Sequence, residues 1–337
     1  MTDKDVTPKV PFGSVLADQM VISSTVGGVF GAPHVEPMGP LPLHPGTHAL
    51  HYGSSCFEGL KAHRASDGHV RLFRAPAHAA RMRVSAETLC LPVPEYELLV
   101  EMMRTSVRAN LEQVPESPGA LYVRPTLLGV DPNIGAAATP SSEALLYVIA
   151  SPVGDYFDSS RALSVAIETQ LPRSTPQFGR VKTGANYAMA LGITMRARAA
   201  GADQVLFAPG GDVQETGASN FMLLDDSRLV TKPLDGSFLA GVTRDSILTL
   251  ARDFGYQVEE REIAVDEVLA WAAHGEAALM GTAAVVAGVG TFTHDGTTIT
   301  VGNGGVGPNT QRLRQALIEI QRGESPDRWG WTELIEA

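Results

Sequence analysis

The sequence predicts two domains of mixed helices and strands, or one large domain, and three observations carry that reading. A length of 337 residues is more than one compact core usually holds. Stretches with strand patterning and stretches with helical spacing follow one another along the whole chain, so neither type dominates. Residues 170–181, with Pro172, Ser174, Thr175, Pro176 and Gly179, have the composition of a linker. They divide the chain into 1–169 and 182–337.

Before the linker, residues 1–20 read as an irregular lead-in, and 21–51 mix Pro, Gly and His with short apolar runs typical of strands and loops. Residues 50–62, dense in aromatic and polar groups between glycines, read as a strand turning into a helix or a second strand at a pocket wall. Residues 70–74 alternate, as a strand does. Pro76 is placed to open a helix over 77–88. Leu98, Leu99, Met102, Met103 and Val107 lie at helical spacing within 95–110. Strands are expected at 120–129, 144–152 and 162–168, with a loop over 130–142.

Beyond the linker, 186–200 reads as a helix closed by Gly201, and 204–208 as a strand. A turn at Gly210-Gly211-Asp212 leads into a strand, a loop and a strand over 213–224. Helices are expected at 247–254, with Thr243 as its N-cap, at 265–273 and at 309–321. A strand over 277–286 enters a tight Gly281-Thr282-Ala283 turn. Asp295-Gly296 within an alternating stretch signals a hairpin. The aromatic tail around Trp329-Gly330-Trp331 is expected to pack back on the body.

Bulk properties exclude several functions. A net charge of −11 argues against nucleic acid and against anionic membranes. Cys56 and Cys90 cannot build a disulfide framework, and no Cys/His group has zinc spacing. The expected setting is therefore a reducing, cytoplasmic one. Residues 1–9 are polar and carry acids, unlike a signal or transit peptide. The apolar run 277–292 is too short and too rich in glycine for a bilayer span.

The candidate chemistry centres on Lys182. It is one of five lysines, and arginine outnumbers lysine about four to one. Lysine alone offers an amine that forms an imine with an aldehyde. Lys182 lies between Gly179 and Gly184, with Tyr187 five residues on, whose phenol could reach a ring oxygen near the amine. A solvated linker lysine is the alternative. Arg81 falls mid-helix, either as a solvated charge or as an anion ligand. Arg124 stands among apolar strand residues and calls for an anion, from the protein or from a ligand. Glu215 is the one acid between Asp212 and Asp225 and needs a cationic or donor partner if buried. Thr243 and the Gly281-Thr282-Ala283 turn each offer backbone amides suited to a phosphate, although capping alone explains the threonine. Together, a lysine amine, an isolated acid and two amide-rich turns match what an aldehyde cofactor with a pyridine ring and a phosphate requires, namely pyridoxal phosphate.

Several segments resemble the branched-chain amino-acid aminotransferases of PLP fold type IV. They are His51-Tyr52-Gly53-Ser54-Ser55-Cys56-Phe57-Glu58-Gly59-Leu60-Lys61, Leu121-Tyr122-Val123-Arg124-Pro125, Lys182-Thr183-Gly184-Ala185-Asn186-Tyr187, the stretch from Glu215 to Phe221, Gly241-Val242-Thr243-Arg244 and Gly281-Thr282-Ala283-Ala284. The resemblance runs in order over nearly the whole chain. It implies a two-domain fold, with a smaller N-terminal α/β domain and a larger domain built on a β-barrel-like core. It implies a transaminase that moves amino groups between L-leucine, L-isoleucine or L-valine and 2-oxoglutarate. Lys182 would hold pyridoxal 5'-phosphate as an imine and shuttle the Cα proton, Tyr187 would bind the ring oxygen, and Glu215 would pair with the ring nitrogen. Arg81, Val242, Thr243 and Thr282 would form the phosphate cup. The amides of Thr282 and Ala283, with Tyr122, would hold the α-carboxylate, while Tyr52, Phe57 and Tyr122 would wall the side-chain pocket. Arg124 would serve the distal carboxylate of glutamate, directly or by orienting the tyrosines. A loop over 131–136, with Ile134 and Ala136 nearest the pocket, would come from a neighbouring subunit, so a homodimer or higher oligomer is implied. Ala284 and Ala287 stand where some relatives carry a redox-active Cys-x-x-Cys, so no thiol switch is expected there. The same fold also hosts D-amino-acid aminotransferases and aminodeoxychorismate lyases. A catalytically silent small-molecule-binding protein is the alternative of a different class.

Overall fold

The structure is a computed structural model that describes residues 11–154 and 161–336. The first ten residues of the expected lead-in, including the polar 1–9 stretch, lie outside the described residues. Residues 11–18 form turns and bends without regular structure.

The first sheet has nine strands among the described residues, antiparallel along its main path. In spatial order these are Thr332–Ile335, Val70–Phe73, Leu60–Arg64, Ala120–Gly129, Ala144–Val153, Gln19–Val26 and Val29–Phe30. His34–Pro37 pairs with Gln19–Val26, and Ser55–Phe57 pairs with Ala120–Gly129. Residues 50–62 thus end in two strands, preceded by a short helix at His48–Tyr52. Alternation sets the faces of the central strand, because residues two apart point the same way. Leu121, Val123 and Leu127 face a core shared with the helices Ala75–Thr88 and Tyr96–Ala109, where Met82, Leu99, Met102 and Met103 are fully buried. Tyr122 and Arg124 therefore share the opposite face.

The second sheet is mixed. Its order is Gln204–Phe207, Leu163–Glu168, Val285–His294, Glu276–Gly281, Asn220–Leu224, Arg228–Thr231 and Gln257–Glu260, with Thr297–Thr300 paired to Val285–His294. Asp295 and Gly296 both have positive φ, 47° and 76°, as a two-residue hairpin turn of the primed type requires. One short segment laces the sheet's two edges together. Phe207 N–H donates to Glu215 O at 3.0 Å, and Val213 N–H donates to Ile263 O at 2.9 Å. The sheet is thereby curled into the expected barrel-like body around Val165, Leu206, Phe221, Leu223, Leu279 and Phe292. Glu215 lies on the lacing segment itself.

A third core joins the halves. Ile247 and Leu250 from the helix Val242–Asp253, and Leu313 and Leu317 from the helix Pro308–Arg322, pack with Phe73 and Trp331. The aromatic tail packs back as expected, since Trp331 meets Phe73 edge-on with ring centroids 6.1 Å apart. Two strands depart from the sequence expectation. Leu163–Glu168 precedes the 170–181 stretch yet belongs to the second sheet, held by parallel pairing on both sides. Thr332–Ile335, from the end of the chain, returns to the first sheet. Among the described residues no helix is long and apolar enough to cross a membrane.

Candidate functional site

Lys182 is pinned by the first half of the chain. Its N–H donates to Ser85 Oγ at 3.1 Å, and its carbonyl accepts from Phe57 N–H at 3.0 Å. The helix Gly184–Ala199 starts just after it, with Thr183 as the N-cap. Asn186 Nδ2 donates to Phe178 O and Val181 O at 2.8 and 2.9 Å, which fixes the approach to the lysine. Tyr187 is then presented so that Lys182 Nζ lies 3.1 Å from its phenol oxygen. The two flanking glycines serve different ends. Gly184 opens the helix with nothing near its missing side chain, whereas a Cβ on Gly179 would lie 2.1 Å from the Ser237 carbonyl. Gly179 is there for close packing.

The Lys182 amine opens into a cavity of about 400 Å³. Phe57, Arg81, Tyr122, Arg124, Tyr187, Glu215, Val242, Thr243, Thr282 and Ala283 line it with Lys182, so most residues singled out from the sequence converge here. Tyr52, Ile134 and Ala136 do not. They form a separate cluster in which the Tyr52 hydroxyl donates to Ile134 O and His48 Nε2 bonds Ala136 O at 3.2 Å. Tyr52 is 37% exposed and Ile134 70%.

Each wall has its own electrostatics. Glu215 is 3% exposed. Its Oε1 lies 2.7 Å from Arg173 Nη1, and it accepts from Leu239 N–H and Asn220 Nδ2, both at 3.2 Å. Burial pushes this carboxyl above its ordinary range, against the pull of Arg173 and the Leu239 amide. Burial also resists ionisation of Tyr187, but Lys182 and Arg173 together hold the phenol below its usual value. Arg81 is no solvated helical charge. Its Nε and Nη2 each lie 2.7 Å from a Glu58 oxygen, and Nη1 donates to Ala240 O at 2.8 Å. Glu58 is fully buried and also meets His78 Nδ1 at 2.7 Å. Burial works against its charge, but Arg81 and His78 prevail and hold it well below the carboxylate range.

One further expectation changes and one narrows. Thr243 is not the N-cap: Gly241 takes that place, and the helix Val242–Asp253 has no side-chain cap. Asp245 N–H is the first to find an acceptor within the helix, Gly241 O at 3.0 Å, so the amides of Val242, Thr243 and Arg244 have no intrahelical partner. Arg124 meets aromatic rings within its own chain, which leaves a ligand as the source of the anion expected for it. Its guanidinium sits 4.5 Å from the centre of the Phe57 ring, and Nη2 donates to the Tyr122 hydroxyl at 2.9 Å. That hydroxyl reaches the cavity only because residue 59 is glycine, since a Cβ there would lie 1.9 Å from it.

Sequence reasoning passed over Arg173, Glu58 and Phe12. Arg173 hides in a stretch of linker composition, and its one signal is the need of an isolated buried acid for a cation. Glu58 sits inside the His51–Lys61 segment, where nothing local marks it as the partner of Arg81. Phe12 comes from the irregular lead-in to meet Tyr122 at 5.0 Å, and nothing local in the sequence marks it. Among the described residues no group of three or more His, Cys, Asp or Glu is placed to hold a metal ion.

This arrangement has known counterparts. Residues 55–291 match the amino-transferase class IV family. The chain belongs to the class IV aminotransferases. A branched-chain-amino-acid aminotransferase of Mycolicibacterium smegmatis is 39% identical over 95% of this aminotransferase and 90% of its own length. A probable branched-chain-amino-acid aminotransferase of Streptomyces coelicolor is 38% identical over 96% and 92%. The solved T.th. branched-chain amino acid aminotransferase with pyridoxamine 5'-phosphate superposes with a TM-score of 0.80 at 27% identity, covering 96% of this chain and all of that one. The same T.th. enzyme has been solved with N-(5'-phosphopyridoxyl)-L-glutamate and with 4-methylvaleric acid. The class IV aminotransferase of this sequence thus has fold type IV architecture, with two sheets and the lysine between them.

Proposed function

We propose that this aminotransferase moves amino groups reversibly between L-leucine, L-isoleucine or L-valine and 2-oxoglutarate, with pyridoxal 5'-phosphate as cofactor. The observation that carries the proposal is the single cavity in which the Lys182 amine lies 3.1 Å from the Tyr187 phenol, with Glu215 and Arg81 among its walls. The chemistry of the donor set fits the cofactor. It offers an amine for an aldehyde, a phenol for a ring oxygen, a buried carboxylate for a ring nitrogen, and a guanidinium with helix-start amides for a phosphate.

In this reading Lys182 and Tyr187 hold the aldehyde end, Glu215 faces the ring nitrogen, and Arg81, Val242, Thr243 and Thr282 hold the phosphate. When bound, the cofactor supplies an electron sink for the charge that develops at the substrate Cα. Lys182 Nζ takes the Cα proton as a general base and later returns a proton as the acid. Arg173 holds Glu215 in place, and the amides of Thr282 and Ala283, with Tyr122, seat the α-carboxylate. Phe57 and Tyr122 offer apolar walls to a branched chain. Arg124, stacked on Phe57, offers its charge to the distal carboxylate of glutamate or 2-oxoglutarate. One pocket thereby accepts both partners.

Tyr52, Ile134 and Ala136 stand apart from their own chain's cavity. We take them to complete the pocket of a second copy, so that the working form is a homodimer or larger. The relatives' names support the substrate class, and the two free thiols, Cys56 and Cys90, suit a reducing cytoplasmic setting. The test is direct. The purified protein should be yellow and should transaminate L-leucine, L-isoleucine and L-valine with 2-oxoglutarate but not their D-isomers, and Lys182→Ala should be colourless and inactive. A preference for D-amino acids, or turnover that survives in Lys182→Ala, overturns the reading.

A further inference from the structure

The turn between Glu276–Gly281 and Val285–His294 is held in an unusual way. Gly281 pairs with Val285 across it, and Thr282, Ala283 and Ala284 line the cavity. Val285 has φ of 58°, a left-handed conformation that β-branched residues rarely adopt. Two cations grip the turn through its carbonyls. Lys61 Nζ donates to Ala283 O at 3.1 Å. Arg314 Nη1 donates to Ala284 O at 2.6 Å and to Val286 O at 3.0 Å. Both come from elsewhere in the fold. Lys61, 5% exposed, lies on Leu60–Arg64 directly opposite Tyr122 in register, and Arg314 lies on the helix Pro308–Arg322. Neither side chain lines the cavity.

In a trans peptide the carbonyl and the following N–H point to opposite sides. Holding Ala283 O toward Lys61 therefore turns the Ala284 N–H the other way, and Ala284 is a cavity residue. The grip of Arg314 on Ala284 O and Val286 O fixes the next peptides, including the left-handed Val285. A positive charge behind each carbonyl also strengthens the dipole of the peptide it holds.

We propose that Lys61 and Arg314 are positioning residues for the substrate α-carboxylate: they lock the turn so that the Ala284 N–H joins the amides of Thr282 and Ala283 as a third donor. The inference rests on reading this turn as the α-carboxylate seat. Both residues act through the turn, so their removal weakens ligands that carry the carboxylate and spares ligands that lack the charge.

The test uses the holoenzyme and two ligands of one shape, 4-methylvalerate and its neutral amide, 4-methylpentanamide, with affinities measured by calorimetry. Lys61→Met and Arg314→Gln should each weaken 4-methylvalerate about tenfold, the scale of a lost hydrogen bond to a charged group, with the amide changed less than about twofold on the same scale. Lys61→Arg and Arg314→Lys keep a donor and a charge and should recover most of the carboxylate affinity. Equal losses for both ligands, or no loss for the carboxylate, overturn the proposal. So does a failure of Lys61→Arg to outperform Lys61→Met. If the unaltered holoenzyme binds neither ligand, the reading of the cavity falls and the proposal with it. If it binds 4-methylvalerate and the variants do not discriminate, the cavity stands and only the clamp falls.

Discussion

Glu58 and Glu215 are both buried, and each meets an arginine at 2.7 Å, yet the fold pulls them in opposite directions. Glu58 is more fully gripped, since Arg81 holds both of its oxygens and His78, an imidazole that burial holds below its ordinary pKa, adds a third contact. Its charge is favoured in spite of burial. Glu215 has one cation, Arg173, and two neutral donors in Leu239 N–H and Asn220 Nδ2. Burial dominates there and holds the carboxyl above its ordinary value. Position explains the difference. Glu58 lies behind the cavity wall and is finished by its own chain. Glu215 lines the cavity and has room for one more cation, which the protonated nitrogen of a pyridine ring would supply. An under-compensated carboxylate facing a cavity is a mark of function, while a fully compensated one behind it is a mark of support.

The largest effect should come from Glu58→Gln. A neutral amide leaves the buried Arg81 without its counter-charge, which costs about 3–5 kcal/mol. Denaturant unfolding of the cofactor-free protein near neutral pH measures this. A loss below about 1 kcal/mol, the size of an exposed pair, would mean that Glu58 is not the anchor of Arg81. Glu215→Gln should behave in the reverse manner. Burial already works against the charge at this site, so the stability loss should be smaller than for Glu58→Gln. Turnover should fall about 100-fold, or about 2.7 kcal/mol of barrier, measured as kcat with L-leucine and 2-oxoglutarate. Unchanged kcat would remove Glu215 from the ring nitrogen.

The contrast between these two acids also marks how far the sequence could be read. Glu215 was legible because it is an isolated acid in a buried-looking run, a pattern that demands a partner whatever the fold. Lys182 and Tyr187 were legible because five residues separate them along one local stretch. The elements followed from periodicity and turn chemistry, down to the Asp295-Gly296 hairpin and the proline at the start of Ala75–Thr88. What escaped was pairing across distance. Arg173 meets Glu215 from 42 positions away, and Arg81 meets Glu58 from 23. No periodicity encodes such contacts. Sheet membership of Leu163–Glu168 escaped for the same reason, since a strand carries no mark of which neighbours it will pair with. The Thr243 cap failed on local chemistry, because Gly241 also serves as an N-cap and the chain uses it.

The smallest effect concerns the slope of stability against pH, where the two acids should part by sign. The folded-state pKa of Glu58 lies below its ordinary 4.5. Its stabilisation is therefore complete above that value and drains away as the pH falls below it. Glu215 is displaced upward from the same 4.5, so the folded state keeps its proton longer than the unfolded chain does. Its contribution falls as the pH rises from 4.5 through the folded-state value. Relative to the unaltered protein, the deficit of Glu58→Gln should shrink on acidification, and that of Glu215→Gln should shrink toward neutrality. Each slope is bounded at about 1.4 kcal/mol per pH unit, the limit for one proton. Denaturant unfolding of the cofactor-free proteins between about pH 4 and pH 7, a span set by the ordinary carboxylate range, reads both slopes. Parallel slopes would show that the two carboxylates are held alike and that Glu215 carries no reserve for a cation in the cavity. Opposed slopes would leave the difference between the two sites where the structure puts it, in the two-oxygen grip of Arg81 and the His78 contact that Glu58 has and Glu215 lacks.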